Sequence, residues 1–355
     1  MTVHSVGKAT ITRIEETFLP TYSPKDLFPE WTDAIHARHA HWLAPNHYDV
    51  ASGLLKLSVH SWLLQIGGRK ILIDSCCGNN KVKPGRPFWT NLNTNYLDRL
   101  SAAGARPDDI DMVMCTHLHH DHVGWNTQQR DGRWVPAFPK ARYVFSQPDF
   151  EYFQKLDTDP KTAPAEMGTF RECVLPIVDA GRAELVTGPH RLDEHIEIVP
   201  APGHSAGHVV FWLESTGERA VFIGDVFHHL LQVYHPDWNF PKNSDADQAR
   251  ASRRTVLEHC AATGALTLPG HVGAPFAGRI GMAGQVEGQA DAAERGDFTG
   301  AGDVLFLAAA PAMHEQHAGY QRGWADQGAG DMATFRMDRH FLFTGGHRAW
   351  SSCTW

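Results

Sequence analysis

Basic residues are in short supply: 32 Lys and Arg stand against 40 Asp and Glu, a formal net charge of -8 over 355 residues. A phosphate-tracking surface needs clustered cations, so nucleic acid is not expected as a partner. The chain also has no apolar run of bilayer length. Its opening "MTVHSVGKATITRIEE" lacks a basic start followed by an apolar stretch, so neither a membrane span nor a secretory leader is expected, and the protein reads as cytoplasmic. Cysteine spacing of disulfide or zinc-knuckle type is missing too. Cys76, Cys77, Cys115, Cys173, Cys260 and Cys353 are therefore expected to be reduced and mostly packed. With 42% hydrophobic residues, the chain can fill one large core or two modest ones.

What is present is a repeated pattern of strands that end in metal-binding residue types. "LSVHSWLLQIGGRKILIDS" (57–75) reads as two β-runs joined by Gly67-Gly68, a pair that accepts positive φ, and it delivers Asp74 to a strand end. "NYLDRLSAAGA" is a helix stopped at Gly104, and "DIDMVMCT" is a short buried strand running into "THLHHDHVGW". "HIEIVPAPGHSAGH", "RAVFIGDV" and "ALTLPGHVG" repeat the pattern, and "DADQARASRRTVLEHCAATGA" is a helix. In layered α/β folds, that sheet edge is where loops converge on a ligand.

Four histidines and an aspartate within ten residues would repel one another if protonated, and a metal holds such a group neutral and convergent. His117 and His119 are two apart and leave an extended segment on one side; Asp121 and His122 follow as the chain turns. One loop can thus offer two ligands to one cation and two to its neighbour, with His204, Asp225 and His271 completing the shells. A carboxylate can bridge two metals, so Asp225 is the natural shared ligand. Nitrogen and carboxylate donors without thiolate suit two zinc ions per chain, with manganese, cobalt or iron as alternatives.

"THLHHDHVG", "PGHSAGH", "IGD" and "PGHVG", preceded by "ILIDS", resemble the successive motifs of the metallo-β-lactamase-fold hydrolases over roughly residues 50–280. "THLHHDHVGWN", "DGRWVPAFPKARYVFS" and "SRRTVL" are most similar to the branch of N-acyl-homoserine lactonases and methyl parathion hydrolases. The resemblance implies an α/β fold, an αββα sandwich with a dinuclear metal site at one sheet edge. It places His117, His119 and His204 on one metal, Asp121, His122 and His271 on the other, and Asp225 between them, with Asp74 bracing the site. It implies hydrolysis by a hydroxide that the two cations share, with Asp121 as proton shuttle. The expected substrate is a small neutral ester or a lactone such as an acyl-homoserine lactone, which would make the activity a quorum-quenching one. A phosphotriester is the alternative, and an iron-dependent sulfur dioxygenase of the same fold is another. No basic cluster is apparent that would grip the carboxylate of a glutathione thioester.

His228 lies where several lactonases of the family carry a substrate-touching tyrosine; it either polarises the carbonyl or is a packed strand-end histidine. His120 and His208 are expected to face outward or to support ligands. Trp89, Trp125, Trp238 and Phe240 are core or pocket wall. "DAIHARHAHWLAPNHYD" (33–49) reads as a solvated helix or a lid. Whether the chain is a monomer or a homodimer is left open. After "FAGRI" the texture changes. The catalytic domain is expected to cover 1–280, and 281–355, Gly/Ala-rich with no sustained period, reads as a weakly structured or accessory extension in place of the strand that usually follows in the resembled branch.

Overall fold

In the computed structural model, which describes residues 2–159, 161, 166, 168–282 and 304–308, two mixed sheets pack face to face between layers of helices. The first sheet runs β1 (Val3–Val6), β2 (Ala9–Tyr22), β4 (Leu54–Ile66), β5 (Arg69–Ile73), β6 (Met112–Met114), β9 (Arg142–Ser146) and β10 (Ala183–Val186), with β3 (Tyr48–Asp49) paired to β4. The second runs β11 (His190–Arg191), β12 (Ile196–Pro200), β13 (Val209–Ser215), β14 (Glu218–Gly224), β15 (Leu266–Pro269), β16 (Gly278–Met282) and β17 (Val304–Ala308). A separate hairpin joins β7 (Thr127–Arg130) to β8 (Arg133–Pro136).

The alternation of side chains across each strand explains the layering. Ile71 and Ile73 of β5 and Met112 and Met114 of β6 face Phe211, Ala220, Phe222 and Leu268 across the sandwich. Leu72 and Val113 point the other way, under the helix Tyr96–Ala102. On the far side, Val221 and Ile223 pack with Val256 and Leu257 of the helix Ala246–Thr263. Strands buried on both faces read as continuous apolar runs, as "KILI" and "AVFI" do. The αββα arrangement expected from the motifs is the one observed.

Local signals account for the boundaries. The β4–β5 turn places Gly67 at φ 58° and Gly68 at φ 78°. The helix Ala246–Thr263 begins where Asp245 accepts from the amides of Asp247 and Gln248, and it ends at Gly264 with φ 63°. The five described cysteines are free and buried. No helix among the described residues is long and apolar enough to cross a membrane.

Two expectations change. The helix Asp33–Leu43 is neither a solvated helix nor a free lid: Trp42 and Leu43 are buried in the core on the outer face of the second sheet, and His39 meets His235 at 2.8 Å. The boundary drawn at residue 280 falls inside β16, which pairs antiparallel with β15 and with β17, so the Gly/Ala-rich extension contributes an edge strand. The rest of that extension lies outside the described residues.

Candidate metal centre

Parallel strands carry the site residues to one edge. β5 ends at Asp74, held at φ 55°, a left-handed conformation that aspartate tolerates better than most residues. β6 ends three residues before His117, β12 leads to His204, β14 to Asp225 and β15 to His271. The parallel register of β14 and β15 pairs Gly224 with Pro269, which sets Asp225 and His271 side by side. Gly270 leaves room between them, since a Cβ there would sit tightly, 3.1 Å from both Asp225 Oδ1 and His122 Cε1.

All seven sequence-predicted ligands converge. The carboxylate of Asp225 divides them: Oδ2 lies 3.8 Å from His117 Nε2 and 3.2 Å from His204 Nε2, while Oδ1 lies 3.3 Å from His122 Nε2 and 3.2 Å from His271 Nε2. His119 Nδ1 sits 2.9 Å from His204 Nε2, and Asp121 Oδ2 3.6 Å from His271 Nε2. His117, His119 and His204 form one group with ligand atoms close enough for a single cation, and Asp121, His122 and His271 form another.

The outward nitrogens decide what the inward ones can be. His122 Nδ1 donates to Asp74 Oδ2 (2.9 Å), His204 Nδ1 to Asn243 Oδ1 (3.0 Å) and His271 Nδ1 to the carbonyl of Ser58 (2.9 Å). Thr116 Oγ1 donates to Asp74 Oδ2 at 2.9 Å, so it accepts from His117 Nδ1 at 3.0 Å. Each neutral imidazole therefore presents a bare Nε2 lone pair to a carboxylate or to another lone pair. His117 Nε2 and Asp225 Oδ1 are buried with no hydrogen-bond partner. Buried lone pairs facing one another at these distances repel unless a cation lies among them, and this donor set fits two.

The electrostatics of the side chains show where the site attracts positive charge, carried by a proton or by a metal. Burial opposes charging of His122, yet the carboxylates of Asp225 and Asp74 outweigh it and raise its pKa well above the usual value. His271 is raised in the same manner by Asp225 and Asp121. Burial, reinforced by His122, holds His117 well below the ordinary value. Asp225, despite a burial that favours its neutral form, is kept ionised by His271, His122 and His228.

Neighbouring groups hold the loops. Asp74 Oδ1 accepts from the Thr116 amide at 2.7 Å, the bracing role expected of it. His208 is buried, and its Nε2 accepts from the Asp225 amide at 3.1 Å, so it supports a ligand. His120 does not face outward: it is buried against the cavity, with Nδ1 3.0 Å from Glu166 Oε1 and its ring 5.4 Å from Trp89. His228 stands beside the centre, Nε2 3.4 Å from Asp225 Oδ2, with neither ring nitrogen hydrogen-bonded and Phe240 4.8 Å away. Arg253 steadies the segment that bears it, donating to the carbonyls of Val226, Pro236 and Trp238.

A cavity of about 360 Å³ opens beside this centre, with Tyr22, Trp89, Tyr152 and Phe240 among its walls. Trp125 and Trp238 do not line it. Trp125 stacks on Tyr96 and donates to the buried Glu16 at 2.6 Å, and Trp238 packs between Phe28 and His235. The expected lack of a basic cluster is corrected here, because Arg86, Lys161 and Lys242 line the same cavity. Sequence reasoning also missed Asp149, whose buried carboxylate accepts from the amides of Leu118 (2.9 Å) and Gly207 (2.8 Å) and so ties two ligand loops together. An acid in a helix first turn gave no sign of that. Nor did any spacing mark Tyr22, Asn243 or Glu166.

Comparison with known proteins supplies the remaining observations. The family model described as the Metallo-beta-lactamase superfamily matches residues 55–271. N-acyl homoserine lactonase AiiB of Agrobacterium fabrum (strain C58 / ATCC 33970) is 30% identical over 184 residues, 47% of this chain and 61% of that protein. N-acyl homoserine lactonase AiiA of Bacillus thuringiensis subsp. kurstaki is 23% identical over 48% of this chain and 64% of its own length. The chain thus spans less than two thirds of the curated relatives it matches. Among solved structures, hydrolase AbOPH in the beta lactamase superfamily aligns with a TM-score of 0.68 at 22% identity, covering 88% of this chain and 97% of that one. AidC, a dizinc quorum-quenching lactonase, aligns with a TM-score of 0.65 at 19% identity, covering 88% and 98%.

Proposed function

Because the chain belongs to the metallo-beta-lactamase superfamily, we propose that it is a dinuclear metal-dependent hydrolase that opens a small ester, foremost a neutral lactone of the N-acyl-homoserine type. The observation that carries this reading is the division of Asp225, with one oxygen turned to each set of histidines. His117, His119 and His204 would hold one zinc ion, Asp121, His122 and His271 the other, and Asp225 would serve both. Once bound, such a pair supplies a hydroxide nucleophile at neutral pH and polarises a carbonyl oxygen.

The chain's own residues do the rest. Asp121 borders the cavity and His271 together, where it can take the proton set free as the tetrahedral carbon forms and return it to the leaving alkoxide. Burial keeps His228 neutral even against the pull of Asp225, so it keeps one N–H to give to the substrate carbonyl. Tyr22, Trp89 and Phe240 make an apolar wall that excludes bulk water and accommodates an acyl chain. The curated relatives named as N-acyl homoserine lactonases support the choice of substrate class.

Metal analysis and a hydrolysis screen test the proposal together. About two zinc ions per chain, with turnover of lactones ahead of aryl esters and phosphotriesters, is the expected outcome. A single iron with oxygen consumption would replace hydrolysis by dioxygenation, and a clear preference for phosphotriesters would move the substrate from carbon to phosphorus.

A further inference from the structure

The metal-facing donors make up only part of the cavity wall. Arg86 and Lys242 make up another part, and a neutral lactone offers them carbonyl oxygens but no counter-charge. Arg86 is half-buried: its Nη1 donates to the Tyr22 hydroxyl at 3.1 Å, its Cζ lies 5.9 Å from the centre of the Trp89 ring, and its Nε is buried with no partner. Lys242 is largely exposed, with part of it against the cavity. Among the described residues neither cation forms an ion pair.

The carboxylates that share the cavity are already engaged. Glu166 is taken by His120 at 3.0 Å, Asp159 accepts from the Lys161 amide at 2.8 Å, and Asp121 and Asp225 face histidines. The two cations are close enough to sense one another: burial and then the charge of Arg86 depress the pKa of Lys242, with Glu166 and Asp26 acting against them. Two neighbouring cations that border the cavity without an ion pair are placed to take a counter-charge from an incoming ligand.

We propose that Arg86 and Lys242 form an anion subsite, and that the ester opened at the histidine–aspartate centre carries a carboxylate bound there. The inference rests on the hydrolase reading and sharpens its substrate class from a neutral lactone to a lactone bearing an acidic side group. The guanidinium supplies the directional contact through the Nη N–H groups that Tyr22 leaves free, while the lysine ammonium adds a point charge at the rim. Trp89 and Tyr22 flank the guanidinium and fix its plane.

The test uses the full-length, metal-loaded protein and two matched γ-lactones, one with a carboxylate side group and one with the corresponding primary carboxamide. The expected result is a kcat/KM about tenfold or more higher for the acid than for the amide, a ratio that falls about tenfold in Arg86→Met and in Lys242→Met and shrinks with added salt. A merely structural loss would lower both substrates together and leave the ratio intact. Lys242 is exposed, so Lys242→Met keeps the question open to measurement if Arg86→Met, which loses the bond to Tyr22, fails to fold. A wild-type ratio of one or less, or a ratio unchanged in both variants, overturns the proposal. If neither lactone is opened, the lactonase part of the proposed function fails separately, and the subsite is then read from calorimetric titration of the unopened acid: about tenfold weaker binding to the variants than to the wild type supports it, and equal binding overturns it.

Discussion

The two sheets build the centre in different ways. The first gives four of the seven donors, His117, His119, Asp121 and His122, from one short loop after β6, while the second gives His204, Asp225 and His271 from three separate strand ends. The first contribution comes from contiguous residues, which hydrogen bonds to Asp74 and Asp149 hold in place. The second depends on register: Gly224 must pair with Pro269, and His271 docks on β4 through reciprocal bonds, accepting from the Ser58 amide and donating to its carbonyl. A one-residue slip would turn these donors to the wrong face, whereas the loop would survive it.

Asp225→Ala should have the largest effect, because it removes the one residue assigned to both proposed ligand sets. Loss of turnover on the order of a thousandfold or more is expected, with no more than one metal retained per chain. Elemental analysis beside the rate measurement checks it. Two tightly bound ions in the variant would show that the loop and the strand ends bind independently.

His228→Ala comes next and probes a strand-end residue outside both proposed ligand sets. One electrostatic donor is lost, so kcat should fall roughly tenfold to a thousandfold while metal content holds. If metal is lost in step with rate, His228 is a ligand to the group it borders, which includes His204 and Asp225.

How much of this was legible follows the same division. The β4–β5 hairpin, the helix Ala246–Thr263 with its two caps and all seven donors could be read, because each announces itself within a few residues through turn glycines, a capping aspartate or a strand-end histidine. Asp149, Asn243, Tyr22, Arg86 and Lys242 could not, since each acts on residues tens of positions away and none departs locally from an ordinary helix, strand or loop. The expectation for Trp125 failed for a related reason. A buried indole N–H needs an acceptor, and the acceptor is Glu16, 109 residues earlier in the chain.

Asp149 is the place where the two modes of construction meet, and its variant sharpens the comparison further. Asp149→Ala leaves the buried amides of Leu118 and Gly207 without acceptors, one from each region. Each orphaned amide costs about 1–3 kcal/mol, and weakened support of ligands lowers metal affinity by roughly 10–100-fold. Chemical unfolding and metal competition measure the two effects. If only the site that includes His204 weakens, the first loop is self-supporting; if both weaken, its geometry also depends on the second sheet.

The smallest effect is expected at the C-terminal end, where two truncations separate sheet closure from chemistry. Every proposed ligand and every described residue lining the cavity lies between Tyr22 and His271. A chain ending after Ala308 should therefore keep two metals and wild-type kcat/KM. A chain ending after Ile280 is different, because it cuts β16 and removes β17, whose pairing runs from Gly278 with Ala308 to Met282 with Val304. That leaves β15, the strand that carries His271, beside a shortened neighbour and an open sheet edge. The expected outcome is lower thermal stability and a greater tendency to associate, with metal binding weakened first at the site that includes His271. Equal stability and equal metal content in the two truncations would show that β15 holds its register through β14 and the Ser58 contact alone, and that the strand-end half of the centre is as self-sufficient as the loop.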